Sequence, residues 1–144
     1  MAYSIRADIE AIFGVDNVTK WGDLNNNENA GEITARITAA IVRADDDIDN
    51  ALRGGQYKTL PFTSVPETIK QLSATLSGVH LYEARGVTDF NVESGQPQHQ
   101  LHWQRKRVET DLKKIRSGQI RLDVDPDYEY TPKVIEDTYD RSNP

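Results

Sequence analysis

Apolar residues recur three and four positions apart from Ile33 onward, through Ile37, Ile41, Ala44, Ile48, Ala51 and Leu52. At 3.6 residues per turn they fall within an arc of roughly 100°, which predicts a core-facing helix from about Glu32 to Arg53. The opposite side begins small and apolar (Ala35, Ala39, Val42) and ends acidic (Asp45, Asp46, Asp49), so this helix is expected to be contacted on two sides. Gly54-Gly55 closes it, because glycine takes the left-handed backbone of a helix C-cap without a Cβ clash. A second narrow stripe, Val65, Ile69, Leu72, Leu76 and Val79, follows Ser64-Val65-Pro66-Glu67. That tetrapeptide reads as a capping box around a first-turn proline, and the helix is expected to run to about Arg85, before Gly86.

Weaker patterns frame these two. Ser4 is the expected N-cap of a short helix carrying Ile5, Ile9, Ile12 and Phe13, stopped at Gly14. A further turn from Asp16 or Asn17 turns Val18 and Trp21 inward, making a helical hairpin. Gly22 to Gly31 and Gly86 to Gln98 lack periodicity and read as loops, the first of them exposed and variable. Tyr57 to Thr63 is expected to be extended, since Leu60 precedes Pro61. A fourth helix spans about His99 to Arg116, with Leu101, Val108, Leu112 and Ile115 on one face and Gly118 as its cap. From Gln119 to Val124 polar and apolar residues alternate, the period of a half-buried strand, and no other segment offers it a partner. Its expected pairing or packing is therefore across a subunit boundary. The fold class that follows is mainly α: a small four-helix domain over residues 1–122 with a short C-terminal strand, then an extended C-terminal arm over 123–144.

Charge sets that arm apart. The chain of 144 residues carries a net −6. Asp123, Asp125, Asp127, Glu129, Glu136, Asp137 and Asp140 against Lys133 and Arg141 place −5 of this after Leu122. Tyr128, Tyr130, Ile135 and Tyr139 interrupt the acids, and aromatics in a polar terminal arm imply that it docks. An acidic chain is poorly suited to tight binding of bare duplex, which rests on many Lys and Arg phosphate contacts. The chain has no cysteine, so neither disulfides nor thiolate metal sites are expected. With no signal-peptide pattern and no apolar run long enough to span a bilayer, the expected compartment is cytosolic, without a membrane partner.

Candidate chemistry is sparse. Asp45-Asp46-Asp47-x-Asp49 clusters the carboxylates that hard cations want, but on a helix they splay and the glycine and terminal glutamate of an EF-hand are missing. A solvated or channel-facing acidic patch is the expected reading. His80, His99 and His102 have no carboxylate at metal-triad spacing and read as packing or surface histidines. Nothing resembles a nucleophile with its base and orienter, and no glycine-rich loop opens a helix to cradle phosphate. The expectation is that the chain is not an enzyme and uses no cofactor. The one basic cluster is Arg105-Lys106-Arg107 with Lys113, Lys114, Arg116 and Arg121. On a helix Trp103, Lys106, Arg107, Thr110 and Lys114 share an outer face, as a contact surface for DNA or an acidic partner would. The plainer alternative is a solvated face with Trp103 stacked under Arg107. A third is that the acidic tail lies on a basic patch of a neighbouring subunit.

The order of these features resembles a known family. A short helix ending in Phe13-Gly14, the long helix closing on Ile48-x-x-x-Leu52, then Tyr57, Leu60-Pro61, Val65-Pro66 and Leu112-x-x-Ile115-x-x-Gly118-x-Ile120-x-Leu122 is similar to the head-completion proteins of tailed bacteriophages. These are head–tail connector or adaptor proteins, and they include a Mu-like branch. The likeness covers Ala2 to about Val124; the acidic extension beyond departs from it. The resemblance implies a structural virion protein, assembled in the host cytoplasm into a twelve-fold homo-oligomeric ring beneath the portal. Such a ring extends the channel for passing genomic DNA, without sequence specificity, and meets a tail, stopper or tail-terminator protein on its far side. Ala35, Ala39, Val42, Ile120 and Leu122 would then face a neighbouring subunit. Tyr128, Tyr130, Ile135 and Tyr139 would dock the arm on the portal or a neighbour, and Trp103, Lys106, Arg107 and Lys114 would meet DNA or an acidic partner. Two rivals carry other expectations: a helical DNA-binding regulator reading through Arg105 to Lys114, and a tail-terminator-type protein at the opposite joint.

Overall fold

Residues 2–86 and 101–124 are described in a computed structural model of the chain. They form α1 (Arg6–Phe13), α2 (Val15–Gly22), α3 (Ala30–Leu52), α4 (Glu67–Glu83) and α5 (His102–Ser117), and no strand occurs among them. The predicted N-terminal hairpin is α1 and α2, turning on Gly14 at φ +92°.

Two predicted caps are differently built. Ile5, not Ser4, is the N-cap of α1, and the Asp8 carboxylate accepts the Ile5 N–H at 2.8 Å. Ser4 is buried, its hydroxyl 2.8 Å from that of Ser73 on α4. The capping box at Ser64 is not formed either: Pro66 is the N-cap of α4 and no side chain caps it. Helix α3 starts two residues before the predicted Glu32, because Asn29 Oδ1 accepts from the amides of Gly31 and Glu32 at 3.0 and 3.2 Å. The asparagine loop before it is hydrogen-bonded throughout. Asp23 accepts the Asn27 and Glu28 amides, and Asn25 and Asn27 donate to Glu32.

The stripe of α3 is divided between two apolar clusters. Ile33, Ile37, Ala40 and Ile41 pack with Ile9, Val18, Ala74 and Leu81, so the first half of α3 lies against the hairpin and α4. Ala44, Ile48 and Leu52 join Tyr3, Tyr57, Phe62, Ile69, Leu72, Leu76, Val108, Leu112, Ile115 and Leu122, so the second half lies against α4 and α5. Helix α4 touches every other helix and is buried on nearly all sides from Leu72 to Leu81, Thr75 excepted. Its small residues Ser73, Ala74, Ser77 and Gly78 make that possible, since close helix approach leaves no room for long side chains.

Gly78 shows how close the approach is. A Cβ built there would run into the ring of Phe13. Phe13 in turn packs edge-on against Trp21, and Trp21 against Tyr82, each at 5.3 Å between ring centroids. Gly78→Ala is therefore expected to lower stability by about 1–3 kcal/mol, because overpacking at a fixed ring outweighs the gain of up to about 1 kcal/mol in helix propensity. Urea unfolding followed by circular dichroism reads the sign directly.

Among the described residues the segment predicted as a strand, 119–124, pairs with no other segment. Residues 119–124 run as bends after Gly118, whose φ of +83° ends α5. Leu122 is buried, its N–H donating 3.0 Å to the Tyr57 hydroxyl, and Ile120 and Val124 pack on the same cluster. Thus the alternation turns its apolar side onto the chain's own core, where Leu122 is buried and Ile120 partly buried within the single chain.

Candidate functional site

The acids of α3 correct the expectation of a solvated patch. Asp45 accepts from the Tyr3 amide at 2.9 Å and the Ser73 hydroxyl at 2.6 Å. The Tyr3 hydroxyl donates to Asp49 and itself accepts from the Phe62 amide at 2.9 Å. Asp47 is paired with His80 Nε2 at 2.8 Å, while Asp46 stays exposed. Three of the four carboxylates thus fasten the N-terminal segment and α4 to α3. Burial pushes the Asp45 and Asp49 carboxyls above the usual range, and burial with the Asp49 contact raises the Tyr3 phenol.

Of the predicted contact residues, those that face outward lie on two helices. Ala35, Ala39 and Val42 are exposed on α3, Val42 at 53 %. On α5 the face of Trp103, Lys106, Arg107, Thr110 and Lys114 is exposed as its period predicts, with Trp103 at 68 %. The ring beside Trp103 is that of His102, edge-on at 5.2 Å. Arg105, in the same basic run, turns instead to α4 and pairs with Glu83. Tyr128, Tyr130, Ile135 and Tyr139 lie outside the described residues, as does His99.

Between α3, α4 and α5 runs an open groove of about 500 Å³ that no sequence pattern indicates. Ala51, Leu76, Val108 and Leu112 supply its apolar lining; Arg43, Lys113, Arg116 and Arg105 stand with Asp47 and Glu109 among its charged residues. Residues from three elements converge there, and helical periodicity reports only one element at a time.

His80 lines this groove. It is buried, and with Nε2 donating to Asp47 its Nδ1 is left without a partner. Burial is the first cause that lowers its pKa; Asp47 opposes this, and Arg43 and Arg105 add to the lowering. A histidine depressed on folding contributes stability that is present above its unfolded value, 6.5, and is lost as pH falls below it. Melting temperature is therefore expected to fall between pH 7.5 and 5.5, and His80→Gln to flatten that slope. In more acid solution Asp45 and Asp49 act oppositely, since raised carboxyls favour the folded state as they protonate.

Among the described residues no three His, Asp or Glu side chains stand close enough to hold a metal ion. No described helix is long and apolar enough to cross a membrane. The family model described as bacteriophage Mu, Gp36 matches residues 3–137, which takes in all five helices and most of the arm. The chain belongs to the bacteriophage Mu Gp36 family. That supports the Mu-like side of the resemblance and corrects its extent: the acidic extension is family sequence as far as Asp137, with Tyr128, Tyr130 and Ile135 inside the match and Tyr139 beyond it. No curated protein matches the chain in sequence.

Proposed function

We propose that this Gp36-family chain is a structural virion protein that forms an adaptor ring between portal and tail, extending the DNA channel and completing the head after packaging. The carrying observation is the exposed apolar face of α3. Ala35, Ala39 and Val42 lie outside a core that the same helix already closes on its other side. A repeating assembly has a use for such a helix, because a contact between two different faces of identical subunits closes into a ring when the rotation between them allows. No catalytic step is assigned to any residue, and no cofactor is needed. Passing DNA would meet the ring without sequence recognition, and the finished protein would reside at the head–tail joint of the virion after assembly in the host cytoplasm.

Co-expression with the portal protein of the same phage tests the reading. Rings seated beneath the portal in negative-stain micrographs are the expected result, and a portal that purifies bare in the presence of excess folded chain would overturn it. The DNA-binding rival draws on the exposed Trp103, Lys106, Arg107 and Lys114. Duplex binding by the isolated protein, with a salt slope that Lys106→Ala and Arg107→Ala reduce, would favour it. Rings found on the tail end alone would favour the terminator.

A further inference from the structure

We propose that the groove between α3, α4 and α5 is the seat of the chain's own acidic arm, Asp125 to Pro144, in the free subunit. Charge is the first ground. Around the apolar lining, Lys106 engages Glu109 and His80 engages Asp47, while Glu83 engages Arg105. Among the described residues, Arg43, Lys113 and Arg116 are the exposed cations that line the groove. The arm carries six carboxylates against Lys133 and Arg141. It also carries three tyrosines and Ile135, and so matches an apolar lining with a basic rim. His80 adds a second ground: its buried Nδ1 is an acceptor without a donor, and a phenol hydroxyl is a donor that the arm holds three times over.

Reach allows it. Arg116, at one end of the groove, is eight residues before Val124, so the arm starts within about 28 Å of it along the extended chain. From Arg105 to Arg116 the groove follows α5 for about 17 Å. Twenty arm residues extend to about 66 Å, several times that length. Own arm and neighbour's arm are decided by concentration. A tethered segment presents itself at roughly millimolar effective concentration, so at micromolar protein it outcompetes a second copy by about a thousandfold.

The absence of cysteine from the chain allows a direct test with the full-length protein. Glu109→Cys and Thr131→Cys are placed together in one chain, and separately in two chains that are then mixed, all at micromolar concentration under mild oxidation. The expected product is an intramolecular disulfide in the double variant, seen as a monomer with a shifted non-reducing band, and no mixed dimer. Adding Arg43→Glu and Arg116→Glu is expected to slow its formation at least fivefold, with unchanged circular dichroism as the check on folding. Mixed dimers forming as fast as the intramolecular bond would overturn the assignment in favour of a second copy's arm. A rate unaffected by the charge reversals, or no disulfide at all, would mean that the arm does not seat there. No portal enters this experiment, so its outcome is separate from that of the adaptor reading.

Discussion

Ile48→Asp is expected to yield no folded protein, whereas Val42→Asp, six residues earlier on the same helix, should melt within a few degrees of the parent and fail to assemble. Ile48 is fully buried where α3, α4 and α5 meet, with Leu52, Ile69 and Ile115 in the same cluster. Removing a buried isoleucine costs about 2–5 kcal/mol in lost transfer and cavity. Leaving an unpaired carboxylate in its place adds several kcal/mol more. Against a total stability of about 5–15 kcal/mol the sum is enough to unfold the domain. Val42, at 53 % exposure, keeps its carboxylate in water, so the monomer loses little. In an assembled ring the same charge would sit against a neighbour's apolar surface. Thermal melts paired with ring counts on the portal separate the two effects, and an equal loss of stability at both positions would refute the two-sided reading of α3.

A chain ending at Val124 is expected to fold and to fail at completing heads. Among the described residues, which end at Val124, two apolar clusters already pack the five helices together, and Leu122 is anchored on Tyr57. The deleted segment has too few apolar residues to add a third cluster. Its acids and tyrosines are suited to attachment instead. Exposed charges attract over a Debye length of about 8–10 Å and weaken with salt. Buried aromatics commonly dominate interface energy and rim charges contribute about 0–1 kcal/mol each. Attachment of the full-length protein to heads should accordingly be partly salt-sensitive, with a resistant remainder. Replacing Tyr128, Tyr130, Ile135 and Tyr139 by alanine should cost more attachment than neutralising four of the acids. Normal head completion by the truncated protein would show that the arm is a solvated tether.

Spacing along the chain was enough for the apolar stripes of α1, α3, α4 and α5 and their order, because period 3.6 is a local property and glycines mark the ends. It was enough, too, for the outward faces at Ala35, Ala39 and Val42 and at Trp103, Lys106, Arg107 and Lys114, which are simply the sides those stripes leave over. Local rules erred where a distant partner outbid a nearby one. Ser4 forgoes the cap position for Ser73, and Asp45, Asp47 and Asp49 bond to Tyr3, Ser73 and His80.

By itself, then, the sequence determined a mainly helical chain and an acidic C-terminal stretch, since hydrophobic period and net charge need no knowledge of what lies across space. Only the tertiary structure decided that α4 is the central helix, because its serines, alanine and glycine have no strong period yet lie buried, with Phe13 directly against Gly78. It alone turned Ile120 and Leu122 inward onto Tyr57, where alternation pointed to a strand. It alone assembled the basic groove at His80 as well, whose lining comes from three helices that are far apart in the chain and meet only when the core closes.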